Sequence, residues 1–338
     1  MKRFKNILLL ADQGTGGSPI LQRAAALAKN NQARLMVVDV IEDIPRHMPM
    51  QIVTITPVKL QKLILQERQK QLERLVSSIR KEGLPVGVSV LIGTPFLEIN
   101  RQVLRQKHDL VIMAAEGRNG LKGRLFGSTS LHLMRKCPCP VWVIKPTRRE
   151  RFRRILAAVD PMCAEEDKNL LNSKIMDLTT SLAKMEQSEI HIVHTWNFRG
   201  EQLLRVRGRM SGEMIDALAS QTRAIHKREF DELIGNYSLE NLNHRLHFLK
   251  GDPSIQITVL IAEHGIDLIV MGTVCRTGVA GFFIGNTAES VLQEVNCSVL
   301  TVKPDGFVSP VKLETAGSWT PKFRNVAGDL RPFNPGQI

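Results

Sequence analysis

Apolar residues in this chain fall into two kinds of segment that alternate along its length. Short continuous runs, such as NILLLAD (6–12), ARLMVVDVIED (33–43), VGVSVLIG (86–93) and PVWVIKP (140–146), have strand length and no polar side. Runs of that kind predict parallel strands covered on both faces. Between them lie longer stretches with apolar residues at helical spacing: LQRAAALAKNN (21–31), about 59–82, and FLEINRQVLRQKH (96–108). The same alternation resumes with RILAAVD (154–160), KNLLNSKIMDLTTSLAKM (168–185), EIHIVHTWN (189–197), MIDALASQTRAIHKREFDELIGN (214–236) and RLHFLKGDP (245–253). Strands alternating with helices imply open α/β sheets joined by right-handed crossovers. Residues 44–60 are punctuated by proline and too long for an ordinary βα connection, which predicts a flap over the ligand edge. The Arg- and Gly-rich stretch 199–212 reads as a connector.

One pattern is written twice. DLVIMAAEGRNGLKGRLFGSTSLHLMRKCPCPVWVIKP (109–146) recurs as DLIVMGTVCRTGVAGFFIGNTAESVLQEVNCSVLTVKP (267–304). Asp109 and Asp267, Gly127 and Gly285, and Pro146 and Pro304 are each 158 positions apart, as are Gly93-Thr94-Pro95 and Gly251-Asp252-Pro253. A constant register of this length marks a duplication. It divides the chain into domains at 1–147 and 151–305, followed by a Pro- and Gly-rich tail, 306–338, expected to be extended. In each copy an apolar run ends in a small residue where backbone can approach a ligand. Gly127-Ser128-Thr129 and Gly285-Asn286-Thr287 then open a helix, with an expected capping side chain and free N–H groups that suit an anion.

Composition narrows the function classes. With 338 residues and 43% hydrophobic content, two cores are affordable. No apolar run reaches the roughly 18 residues of a membrane span, and no signal peptide precedes the first strand, so a soluble, cytoplasmic protein is expected. Five cysteines without metal spacing fit a reducing compartment, and Cys137 and Cys139 read as small buried hydrophobes. The net charge of +13 raises the question of nucleic acid. Its densest block, RRERFRR (148–154), matches no recognisable nucleic-acid motif and reads as a basic interdomain linker, which weighs against a nucleic-acid partner. His191 and His194, in an apolar strand, read as hydrogen-bonded core imidazoles, and His264, before Gly265, as a cap. No metal site and no catalytic constellation is expected.

The duplicated unit resembles the universal stress protein domain, over about residues 4–304. Nucleotide-binding members of that family carry Gly, two residues, Gly, nine residues, then Gly followed by Ser or Thr. The first copy reads Ala114, Gly117 and Gly127-Ser128; the second reads Gly272, Cys275 and Gly285-Asn286. Neither copy is intact. The resemblance implies two tandem doubly wound, Rossmann-like parallel-sheet domains forming an intramolecular pseudo-dimer through their last strands. It implies further that Asp12 and Asp160, at the ends of the first strands, and Val38 and Val193, near the ends of the second, contact ribose and base. Ala114, standing where a positive φ was expected, should cost about 1 kcal/mol. Cys275 adds bulk at the anion site, whereas Arg118 adds a charge-assisted donor. ATP or another phosphate-bearing ligand is thus left open, with the first domain favoured.

The functional expectation is a cytoplasmic stress-response protein, ligand-binding or regulatory, supporting resistance to stress including DNA damage, without strong catalysis. A weak ATP-binding switch or ATPase is the alternative, and a nucleic-acid-associated basic protein the minor one. A small molecule in a strand-end or interdomain cleft is the expected partner, and further homodimerisation is left open.

Overall fold

A computed structural model describes residues 4–11, 19–45, 56–115, 126–145, 151–162, 166–198, 200–207, 210–273 and 285–313. Packing separates two compact units, one built on the chain up to Met113 and the other on Ala114–Pro310.

The first unit runs β1 (Asn6–Leu10), α1 (Pro19–Asn31), β2 (Arg34–Ile41), α2 (Pro57–Lys81), β3 (Val86–Ile92), α3 (Pro95–Gln106) and β4 (Leu110–Ala114). Its strands lie in the order β3-β2-β1-β4, all parallel, with Leu8 beside both Met36 and Val111. Ile7, Leu8, Val37, Val111 and Ile112 are completely buried, as continuous apolar runs require of strands covered on both faces. Thr56 caps α2, which starts at Pro57.

The second unit contains α4 (Ser128–Lys136), β5 (Val141–Ile144), β6 (Arg154–Ala158), α5 (Glu166–Glu186), β7 (Glu189–Trp196), α6 (Glu201–Arg207), α7 (Gly212–Gly235), β8 (His244–Lys250), α8 (Pro253–His264), β9 (Leu268–Gly272), α9 (Asn286–Glu294) and β10 (Ser298–Val302). Its strand order is β5-β10-β9-β6-β7-β8. Every pair is parallel except β5 with β10, where Val143 faces Val299 and Trp142 faces Leu300. Those are the two last strands of the repeat, and the antiparallel ladder covers apolar edges that would otherwise be open to pairing with another chain. The same ladder explains why α4 and β5, which the repeat assigns to the first copy, pack within the second unit. Arg135 of α4 forms an ion pair with Glu289 of α9, and the Ser298 hydroxyl accepts the Lys145 N–H at 3.0 Å.

The repeat reappears as duplicated structural devices. Asp109 accepts the N–H groups of Lys5 (2.6 Å) and Asn6 (3.0 Å), fastening the entry of β1 to that of β4. Asp267 likewise accepts those of Arg153 (2.8 Å) and Arg154 (3.2 Å), at the entry of β6 and β9. Gly93 and Gly251 take φ of 134° and 139°, a region closed to side chains, so that their N–H groups reach Ile41 O and Trp196 O.

Three expectations change. The connector 199–212 contains α6, stabilised by Glu201 in its first turn and by Glu201–Arg205 at 3.1 Å. The block 148–154 is partly sheet: Phe152 is buried, Arg154 begins β6, and its guanidinium binds Glu189 at 3.2 Å and the His264 carbonyl at 2.7 Å. Gly265, left-handed at φ 57°, caps α8, and His264 is the last helical residue before it. The core of the expected flap, 46–55, and the tail from 314 lie outside the described residues; 306–313 carry neither helix nor strand. Among the described residues, Cys137, Cys139 and Cys297 are buried, and no helix is long and apolar enough to cross a membrane.

Candidate functional site

The second unit places several expected site residues along the carboxyl edge of its strands. Asp160 follows β6, and its backbone is clamped by Asn172 of α5: the amide oxygen accepts the Asp160 N–H at 3.0 Å, and the amide nitrogen donates to the Asp160 carbonyl at 2.9 Å. Asn172 is buried and went unnoticed in the sequence, where a polar residue inside a helix has no distinguishing mark. Gly272 ends β9. A Cβ there would stand 2.9 Å from Leu171 Cδ2, so glycine serves close packing at this position. Neither Gly272 nor its counterpart Ala114, the last residue of β4, has a positive φ. The backbone strain expected at Ala114 is therefore absent, because both positions are still extended strand.

Gly285 and Gly127 are the N-caps of α9 and α4, with φ of −63° and −83°, and neither helix has a side-chain cap. This corrects the expected capping side chain: Ser128 and Asn286 are already the first helical residues and are exposed. The consequence is chemical. The first-turn N–H groups carry the positive end of the helix dipole without a carboxylate or hydroxyl cap of their own, the form in which such a terminus receives an anion.

Val38 and Val193 do not follow their strands. They lie inside β2 and β7, which continue to Ile41 and Trp196, and their carbonyls accept the N–H groups of Ala11 (2.7 Å) and Val159 (3.0 Å). Next to Val38, the buried Asp39 carboxylate accepts Arg68 Nε at 2.7 Å. Val38 belongs to the first unit and Gly127 and Ser128 to the second, the division falling just before Ala114, the last residue of β4. Asp12, Gly117, Arg118 and Cys275 lie outside the described residues.

Behind the Gly272 turn sits a residue for which the sequence suggested no role. Lys303, just past β10, is buried; its ammonium donates to Thr273 Oγ1 at 2.6 Å and Arg135 O at 3.2 Å, and lies 4.7 Å from the centre of the Phe307 ring. Thr273 Oγ1 in turn donates to Met134 O at 3.2 Å. The pair occupies carbonyls in the last turn of α4, the negative end of its dipole. Burial pulls the Lys303 pKa down to about 8, against the pull of Cys137.

Histidines form two further groups, one on each face of β7. Towards α7, His194 Nδ1 is 3.3 Å from Val159 O and its Nε2 is 2.8 Å from His226 Nδ1. A carbonyl can only accept, so His194 carries its proton on Nδ1 and receives one from His226. Burial lowers the His194 pKa to about 4. On the other face, towards α8, His191 Nδ1 is 2.9 Å from His247 Nε2, with the His264 ring 4.9 Å from that of His191 and 5.2 Å from that of His247. Burial first, then the neighbouring imidazoles, brings His247 to about 4, and burial lowers His191 as well. Although burial works to raise it, bonds from Arg245 and Arg154 keep the Glu189 carboxyl below its usual range.

Comparison with known proteins gives a consistent result. The universal stress protein family model matches residues 3–145 and again 151–303. A universal stress protein E of Salmonella typhi is 27% identical over 93% of this chain and 99% of its own length. One of Photorhabdus laumondii is 26% identical over 92% of this chain and 99% of its own. Among solved structures, a functionally unknown protein from Pseudomonas aeruginosa shares the fold with a TM-score of 0.67 at 23% identity, covering 90% of this chain and 94% of that one. A universal stress protein from Archaeoglobus fulgidus does so with a TM-score of 0.59 at 19% identity, covering 90% and 98%.

Proposed function

The chain belongs to the universal stress protein family, and from that premise we propose that it is a cytoplasmic stress-response protein that binds a phosphate-bearing small molecule and works by binding rather than by catalysis. The observation that carries this reading is the form of α4 and α9. Each opens at a glycine N-cap without a side-chain cap, at the motif position where the family's phosphate-binding turn ends. Asp160, its backbone fixed by Asn172, supplies a carboxylate of the kind that meets a ribose hydroxyl at the end of a strand. The first copy keeps Gly117, Gly127 and Ser128 and adds Arg118, whereas the second has Cys275 in place of a glycine, so the first copy holds the greater anion affinity. ATP is the leading candidate ligand, and resistance to stress, including DNA damage, the role that such binding serves. The guanidinium groups of Arg151 and Arg154 are engaged within the fold, which favours this reading over a nucleic-acid surface.

Native mass spectrometry of the purified protein, alone and with ATP added, tests the proposal, together with Gly127→Trp and Gly285→Trp variants. The bound mass should persist in the Gly285 variant and disappear in the Gly127 variant. Loss only in the Gly285 variant reverses the assignment of the halves. A wild-type protein that carries no ligand and takes up no ATP refutes the binding role.

A further inference from the structure

We propose that His191, His247 and His264 form a binding site for one divalent transition-metal ion of the imidazole-preferring kind, zinc foremost, on the face of the sheet covered by α8. The three residues come from β7, β8 and the C-terminal end of α8, and each offers a ring nitrogen within 4.8 Å of the other two. In a tetrahedral site with metal–nitrogen bonds of about 2.0–2.1 Å, ligand nitrogens stand about 3.3–3.4 Å apart. His191 Nδ1 and His247 Nε2, at 2.9 Å, need only open slightly to accept an ion between them.

A hydrogen-bonded histidine cluster accounts for this arrangement less well. His191 Nε2 is buried and makes no hydrogen bond, although a buried ring nitrogen ordinarily has a partner. The nearest carboxylate oxygen is Glu189 Oε2, at 3.7 Å. With Nδ1 given to a metal, Nε2 must carry the ring proton, and a small rotation directs it to Glu189. The result is the carboxylate–histidine–metal relay that orients a ligand ring and raises its basicity. Glu189 is itself held by Arg245 at 2.6 Å and Arg154 at 3.2 Å, and its negative charge offsets the two guanidinium groups that would otherwise oppose a cation.

The remaining features agree. His264 lies where the α8 dipole is negative. Three protein ligands converge among the described residues, which leaves a fourth position for water or a small anion. The site lies towards the amino ends of the strands, since α8 ends at His264 and β9 begins at Leu268, whereas Gly272 and Gly285 mark the carboxyl edge. It is therefore separate from the anion-binding edge proposed above and does not depend on that reading.

The test uses untagged, full-length protein freed of metal with EDTA and titrated with cobalt(II), whose tetrahedral complexes absorb in the visible, followed by displacement with zinc. We expect one cobalt per chain, displaced by one zinc, and a higher midpoint of thermal unfolding with zinc than with EDTA. His247→Ala and His264→Gln should each weaken binding ~100-fold or more, and Glu189→Gln by ~10–100-fold through loss of the proton acceptor. His226→Ala, on the other face of β7, should bind as wild type does. Circular dichroism in EDTA establishes that each variant is folded. Failure of the folded wild-type protein to take up stoichiometric cobalt or zinc overturns the proposal, as does unchanged uptake by either the His247 or the His264 variant.

Discussion

Replacing Lys303 by methionine should flatten a rise in stability that the wild-type protein shows on the alkaline side of neutrality. Lys303 is 4% exposed, and burial lowers its pKa from 10.5 to about 8, whereas in the unfolded chain it titrates at its ordinary value. Between those two values the unfolded state binds more protons than the folded state, so stability must increase with pH across that window. The full difference corresponds to about 3 kcal/mol, of which about 2 kcal/mol should appear between pH 7 and 9.5. That figure is the upper end, because Thr273 Oγ1, Arg135 O and the Phe307 ring all favour the ammonium. The assay is urea unfolding of wild type and Lys303→Met at both pH values. The variant loses stability at every pH by stranding Thr273 and the Arg135 carbonyl, so the discriminating quantity is the difference in pH dependence between the two proteins. Equal pH dependence would show that the Lys303 ammonium is better solvated than its burial implies, and would refute the reasoning.

Two further perturbations follow from the packing. His194, with a pKa of about 4, should make the protein sensitive to acid: the unfolded state gains a proton as pH falls through about 6.5, while the folded state resists until about 4. His194→Phe should lessen that loss of stability by up to about 3 kcal/mol at pH 4, measured by urea unfolding at pH 7 and at the lowest pH where both proteins remain folded. Gly272→Val should cost about 1–3 kcal/mol through the 2.9 Å approach of Leu171 Cδ2, whereas Gly272→Ala, which a turn of the leucine methyl can accommodate, should cost less; thermal unfolding of both checks the order.

Much of the fold could be read directly from the chain because its causes are local. A strand covered on both faces needs a continuous apolar run, and every such run became a strand, from β1 to β10, although the outermost strands β3 and β8 are only partly covered. Gly93 and Gly251 stand at the same place in the repeat because one turn, with positive φ, is used twice. The shared Asp109 and Asp267 proved to be strand-entry clamps, which explains a correspondence whose purpose the repeat did not reveal. The antiparallel pairing of β5 with β10 is what the family resemblance implies, and it gives an apolar edge strand the cover it needs.

Other features depend on which element comes to rest beside which, and no run of residues states that. Alanine at 114 carried an expected strain that vanished because strand β4 extends through it, and glycine at 272 proved to answer to Leu171, a hundred residues earlier in the chain. Lys303 reads as the end of an apolar run; only the closing of β10 against α4 buries its ammonium under two acceptors. His191, His247 and His264 show no ligand spacing along the chain, His191 and His247 being 56 residues apart, and each alone has an ordinary explanation. They meet because β7 and β8 pair in parallel, placing His191 and His247 on one face, and because α8 crosses that face and ends there. Propensity and periodicity act over a few residues and so are written in the chain, whereas convergence of side chains is a property of register and helix crossing, which exist only once the sheet has formed.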